Sequence, residues 1–186
     1  MQSGNQKLKI LYLMKILLEE TDEMHSITMS EILSKLSSYG VKAERKSIYD
    51  DIECLKTYGL DIILEKEGNT YAYRVASRQF ELAELKLLVD SVQSSKFITE
   101  KKSHQLIKKI EALASRHEAS KLQRQVYTME RVKTENESIY YNVDQIHDAI
   151  ASNVQITFQY FNWNANKQKV LRKNGAIYKV SPWALS

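Results

Sequence analysis

Between Thr28 and Val75 two short stretches with one apolar face, each stopped by a glycine, are followed by alternating residues that fold back on themselves. Thr28-Met-Ser-Glu31 reads as a capping box, in which the threonine hydroxyl and the glutamate carboxylate each satisfy an orphan backbone N–H. Met29, Ile32, Leu33 and Leu36 then repeat at helical spacing. Tyr39-Gly40-Val41 closes this helix, because glycine takes the left-handed conformation and valine packs back. A second helix is expected over Glu44 to Tyr58, with Ile48, Ile52 and Leu55 facing inward and Gly59-Leu60 as its stop. From Asp61 to Val75 the period drops to two. Ile62 and Leu64 alternate, Gly68-Asn69 supplies a turn, and Tyr71, Tyr73 and Val75 alternate back, which predicts a β-hairpin.

Two short helices joined by a glycine turn and followed by a hairpin read as a winged helix-turn-helix, an arrangement that presents a helix to the DNA major groove. With Ile48, Ile52 and Leu55 inward, Lys46, Asp50, Glu53 and Thr57 lie opposite, flanked by Arg45 and Tyr49. The N-terminal residues of such a helix meet the base edges, so Lys42, Arg45, Lys46, Ser47 and Tyr49 are the candidate contacts. Arg45 or Lys46 suits the O6 and N7 acceptors of guanine, and Ser47 or Tyr49 suits phosphate. At the hairpin tip Lys66, Asn69 and Thr70 are candidates for phosphate or minor-groove contact. The plain alternatives are a solvated helix face and an ordinary polar turn.

Charge qualifies this reading. The chain of 186 residues has a net charge of +4, yet residues 1–75 carry ten Lys and Arg against twelve Asp and Glu. Residues 76–186 carry seventeen against eleven, a net of +6. A slightly acidic DNA-reading half argues against a histone-like coating role and for a few well-placed cations. At 43% hydrophobic and 27% charged, the composition is that of an ordinary globular protein. The longest apolar stretch, Ile10 to Leu18, is interrupted by Lys15, so no membrane span is expected. With one cysteine, Cys54, and no leader pattern, a cytoplasmic location is expected. Cys54 is expected to be a buried thiol beside Leu55.

Elsewhere, Gln6 to Glu20 predicts a helix with Leu8, Leu11, Met14 and Leu18 on its stripe, broadened by Ile10, Leu13 and Leu17. After a polar connector at 76–79, Phe80 to Ser95 predicts a helix buried through Leu85, Leu88, Val89 and Val92. Thr99 caps a further helix to Arg116, apolar at Leu106, Ile110 and Leu113, with Lys101, Lys102, Lys108 and Lys109 on its other face. A third, polar helical segment spans Glu118 to Tyr127. These helices offer few apolar faces for a core of their own, which predicts packing on a neighbour or a second subunit. Asp144 is expected to cap a short helix carrying Ile146, Ala149 and Ile150. Val154 to Tyr160 alternates as a half-buried strand, with Phe158 facing a core, and Lys169 to Val180 suggests a second strand pair broken at Asn174-Gly175. This β unit stops at Ser186 in the middle of an expected strand, so either the sequence is a fragment or the strands that complete it are expected from elsewhere.

The order of these motifs resembles the bacterial WYL-domain transcriptional regulators, which join an N-terminal winged helix of DeoR type to a helical linker and a WYL domain. Ser47-Ile-Tyr-Asp-Asp-Ile52 is similar to the family's third-helix signature. Ile156-Thr-Phe-Gln-Tyr160 and Tyr178-Lys-Val-Ser-Pro-Trp-Ala-Leu185 are similar to its WYL strands. Position 50 is Asp where the family often has arginine, and the Trp-Tyr-Leu tripeptide itself would follow the last residue. The resemblance implies an α+β fold, mainly α: a winged helix-turn-helix over 1–76, a helical linker and dimerisation region over 77–139, and the start of a small β-barrel-like WYL domain over 140–186. It implies a dimeric, sequence-specific DNA-binding transcriptional regulator with double-stranded operator DNA as partner. It also implies a nucleic-acid or nucleotide effector at the WYL domain.

The sequence also bears on two other classes. A winged helix attached to an enzyme lacks support, since the sequence has no glycine-rich phosphate loop, paired catalytic carboxylates or nucleophile–base pair. No cofactor or metal is expected, because His25, His104, His117 and His147 lack ligand spacing. A winged helix that binds protein instead of DNA fits the acidic balance of residues 1–75. A continuous basic strip around Lys42, Arg45, Lys46 and Lys66 would favour DNA, whereas isolated cations would favour protein.

Overall fold

A computed structural model of the chain describes residues 7–126, 133–134, 136, 138–166 and 168–184, without the side chains of residues 67 and 124–126. The fold is mixed α+β, with seven α-helices and small sheets among the described residues. No helix among them is long and apolar enough to cross a membrane. The expected helix limits at Gln6 and Tyr127 and the strand end at Leu185 lie outside the described residues. The chain divides into two compact units, residues 1–95 with 101–132, and residues 96–100 with 133–186.

The first unit begins with helix α1 (Lys9–Glu20), strand β1 (Ile27–Thr28), helix α2 (Met29–Ser38) and helix α3 (Arg45–Tyr58). The hairpin β2 (Ile62–Glu67) and β3 (Thr70–Val75) follows. The Thr28–Glu31 capping box is formed as expected. Gly40 and Gly59 take positive φ of 72° and 114°, and Val41 and Leu60 donate back to Leu36 and Leu55, closing both helices. Gly68 turns the hairpin at φ 59°, with Glu67 paired to Thr70. Two-residue β1, which the sequence pattern did not reveal, adds to the far edge of β3, so the sheet order is β1-β3-β2.

Ile16, Leu17, Ile32, Leu36, Ile48, Ile52, Ile62 and Val75 close one core. Burial in α1 falls on Leu13, Ile16 and Leu17, leaving Leu8 and Leu11 exposed. That helix is apolar around much of its circumference, so periodicity alone did not fix which edge faces inward. In the hairpin, Leu64 and Tyr71 are exposed while Ala72 is fully buried, because β3 is the central strand and Ala72 sits opposite Thr28.

Helices α4 (Leu82–Ser94), α5 (Glu100–Glu111) and α6 (Arg116–Val126) enclose a second core of Leu85, Val89, Ile107, Ala114 and Leu122. This corrects the expectation that these helices lack a core. The polar-looking third helix supplies its fully buried Leu122, and Ile107 replaces the expected Leu113, which is exposed. Leu88 also turns outward, at 39% exposure. The helix expected to reach Arg116 ends at Glu111, because Ser115 and Glu118 form a new cap: Glu118 N donates to Ser115 Oγ at 3.1 Å and Ser115 N to Glu118 Oε2 at 3.4 Å.

The second unit holds helix α7 (Ser138–Ala151) and strands β4 (Ile156–Gln159), β5 (Phe161–Trp163), β6 (Lys169–Leu171) and β7 (Ile177–Val180). Helix α7 starts earlier than expected. Asn136, not Asp144, receives the N–H and hydroxyl of Ser138 at its start. β4 pairs with β7 and β5 with β6, forming two two-stranded sheets, with no closed barrel among the described residues. The two strands after Lys169 therefore pair with earlier strands instead of with each other. The expected half-burial of β4 is not realised: Thr157, Phe158 and Gln159 are exposed, and Phe158 stacks on Tyr178 across the pair at 5.7 Å.

Candidate nucleic-acid interface

Helix α3 is fixed from two sides. Ile48, Ile52 and Leu55 sit in the core at 0–4% exposure, which sets the rotation of the helix about its axis. Lys9 of α1 reaches the other flank, where its Nζ donates to Ser47 Oγ at 3.0 Å and pairs with Asp51 at 2.8 Å. Both partners are largely shielded, so this pair is worth more than a solvated one. Sequence patterning missed Lys9 because the contact spans about forty residues and leaves no local period.

Ser47 is consequently committed inward. Its hydroxyl also donates to Glu44 O at 3.1 Å, helping to start a helix whose N-cap residue makes no side-chain bond of its own. Tyr49, half exposed, hydrogen-bonds Tyr73 of β3, and so joins α3 to the hairpin. Burial first, then the Tyr49 and Glu53 side chains, push the Tyr73 phenol above its ordinary value.

The exposed side chains at the start of α3 are mostly cationic, with Glu44 among them. Lys42, Arg45 and Lys46 are all exposed at or just before the first turn. Further along the face acids take over: Asp50 and Glu53 are exposed, and Glu53 pairs with Lys56 at 2.8 Å. At the hairpin, Lys66, Asn69 and Thr70 are exposed, with Glu65 behind the tip paired to Arg74 at 2.7 Å. The hydrogen bond from Arg74 first, and then its charge, hold the Glu65 carboxyl below the usual carboxylate range. The surface therefore groups Lys42, Arg45 and Lys46 around Glu44 at the start of α3, and places Lys66 near a hairpin tip whose sequence also holds Glu65 and Glu67, with an acidic patch of Asp50 and Glu53 on the α3 face.

Cys54 is exposed, correcting its expected burial. A helix turns about 100° per residue, so adjacency to buried Leu55 carries Cys54 away from the core. Two of the four histidines do meet: His25 and His117 stack with ring centres 3.7 Å apart. Among the described residues no group of three or more His, Cys, Asp or Glu is placed to hold a metal ion.

Comparison of the chain with family models, curated proteins and solved structures finds no match.

Proposed function

We propose that this chain is a sequence-specific DNA-binding transcriptional regulator, with residues 7–75 acting as a winged helix-turn-helix and α3 as the reading helix. One observation carries the reading. The core grips Ile48, Ile52 and Leu55 so that Arg45 and Lys46 project from the first turn of α3, where such helices meet base edges. The helix macrodipole adds partial positive charge at the same end. Lys66, Asn69 and Thr70 at the hairpin tip would flank the groove. A dimer would present two such helices to half-sites about 34 Å apart. Because Leu85 and Val89 are spent on the intramolecular core, exposed Leu87 and Leu88 are the residues of α4 left for a subunit contact.

By its resemblance to WYL-domain regulators, the second unit would take a nucleotide-like effector. The reading is supported by the open cluster of Phe158, Tyr160 and Tyr178, with Arg172 over the Tyr160 ring at 5.9 Å.

A protein-binding role for the first unit is the second reading, favoured by exposed Asp50 and Glu53, which repel phosphate. Selection of bound duplexes from a random pool with the full chain separates the two. DNA reading predicts enrichment of one sequence, and a pool that stays random rejects it.

A further inference from the structure

Helix α5 carries a charged face that neither core nor the α3 surface uses. Ser103 and Ile107 are buried, while Lys101, His104, Gln105, Lys108 and Lys109 are exposed. At about 100° per residue these five fall on the half of the helix turned away from Ser103, Ile107 and Ile110 together. Residues 101–110 contain no acid, while the helix begins at exposed Glu100. Glu111 falls toward the buried side, half-buried, and accepts from Gln123 Nε2 at 3.3 Å.

Lys108 and Lys109 suit the last turn and Glu100 the first, whereas Lys101 and Lys102 occupy a first turn where the macrodipole disfavours cations. The exposed face also lacks a large apolar or aromatic side chain. Protein interfaces are centred on such anchors and are depleted in lysine. Phosphate backbones need neither. Residues 101–124 hold seven Lys and Arg against two Glu, whereas residues 1–75 are net acidic. The attraction for a polyanion is therefore concentrated away from the helix that would read bases.

We propose that the exposed face of α5 is a sequence-independent contact surface for the phosphates of duplex DNA. The choice of duplex among polyanions rests on the DNA-binding reading above. The helix is about 18 Å long and spans on the order of ten phosphate charges of a duplex. Its lysines supply counterion release that the acidic reading half does not.

The test is binding of the full chain to a labelled random-sequence duplex over a salt series. Wild type binds, with affinity falling linearly in log–log form. The Lys101→Gln, Lys108→Gln, Lys109→Gln triple variant loses about 2–3 from the slope, at ~0.9 per phosphate contact. The corresponding arginine triple variant retains it. Should the glutamine triple lose its native circular dichroism, Lys108→Gln and Lys109→Gln singly each lower the slope by about 0.9. An unchanged slope in natively folded glutamine variants overturns the proposal, as does failure of wild type to bind random duplex. Competition by polyglutamate as strong as that by duplex also overturns it, pointing to an acidic protein partner. A slope that drops in a chain with no sequence preference would uphold the α5 surface while rejecting base reading by α3.

Discussion

Ser115 Oγ donates to Asp22 Oδ2 at 2.5 Å, bridging the loop after α1 to the start of α6 across 93 residues of sequence. The other carboxylate oxygen accepts from Met24 N at 3.0 Å and lies 2.7 Å from His25 Nδ1. Around this point Arg116 pairs with Glu20 at 2.8 Å, and Arg78 donates to the carbonyls of Leu18 and Thr21 at the end of α1. The two cores of the first unit are thus joined by a polar knot in which Asp22, at 3% exposure, is held by three partners. Removing one partner of such a group leaves the rest buried and unsatisfied.

Ser115→Ala should therefore destabilise the first unit by about 1–3 kcal/mol, since it orphans Asp22 Oδ2 and removes the cap of α6 together. Chemical denaturation would read this as a lower midpoint. An unchanged midpoint would mean that the joint contributes nothing.

The Asp22 carboxyl also predicts a pH signature. Burial would raise its pKa, but the hydrogen bonds from Ser115, His25 and Met24 together outweigh burial and hold it below the usual carboxylate range. With the folded value depressed, its stabilisation is complete above the unfolded carboxyl value of about 3.9 and is lost as pH falls through the lower folded value. The stability gap between wild type and Asp22→Asn should stay level near neutral pH and shrink in acid below about pH 4. A gap that is flat down to complete acid unfolding would sink this assignment.

Thr28→Ala should cost about 1 kcal/mol, because the Thr28 hydroxyl accepts Glu31 N and donates to the Glu31 carboxylate at 2.7 Å. The hydrogen bonds from the Thr28 hydroxyl and N–H hold the Glu31 carboxyl below its ordinary value, so the loss should diminish in acid. Denaturation midpoints at neutral and acid pH would check both statements.

On α3 two neighbouring positions should behave oppositely. Ile52→Ala, at a site 2% exposed, should cost about 2–5 kcal/mol. Cys54→Ala should stay within about 0.5 kcal/mol, and the native thiol should react readily with a soluble thiol reagent. Slow labelling of native protein would place Cys54 back in a core.

Local signals in the sequence were strong enough to give residues 28–75 nearly element by element. The Thr28–Glu31 box, the Gly40 and Gly59 stops and the Gly68 turn are each decided within a few residues. The α6 cap has the same box pattern, Ser115-Arg-His-Glu118, which the expectation of one helix to Arg116 and another from Glu118 passed over. What was not legible is what distance in sequence hides. The Lys9 contacts that turn Ser47 inward, the Tyr49–Tyr73 bond and strand β1 depend on which elements meet. At the candidate interface, Arg45 and Lys46 were legible as outward because three buried residues fix the helix phase, whereas the commitment of Ser47 was not.

The most direct test of the central claim is the affinity of Arg45→Ala and Lys46→Ala chains for the duplex enriched from a random pool. A lost bidentate base contact should weaken binding by about 1–3 kcal/mol and relax preference at one base pair, with the fold intact. The account predicts that at least one variant shows both effects in band-shift titrations against single-base operator variants. Wild-type affinity and wild-type base preference in both would contradict it.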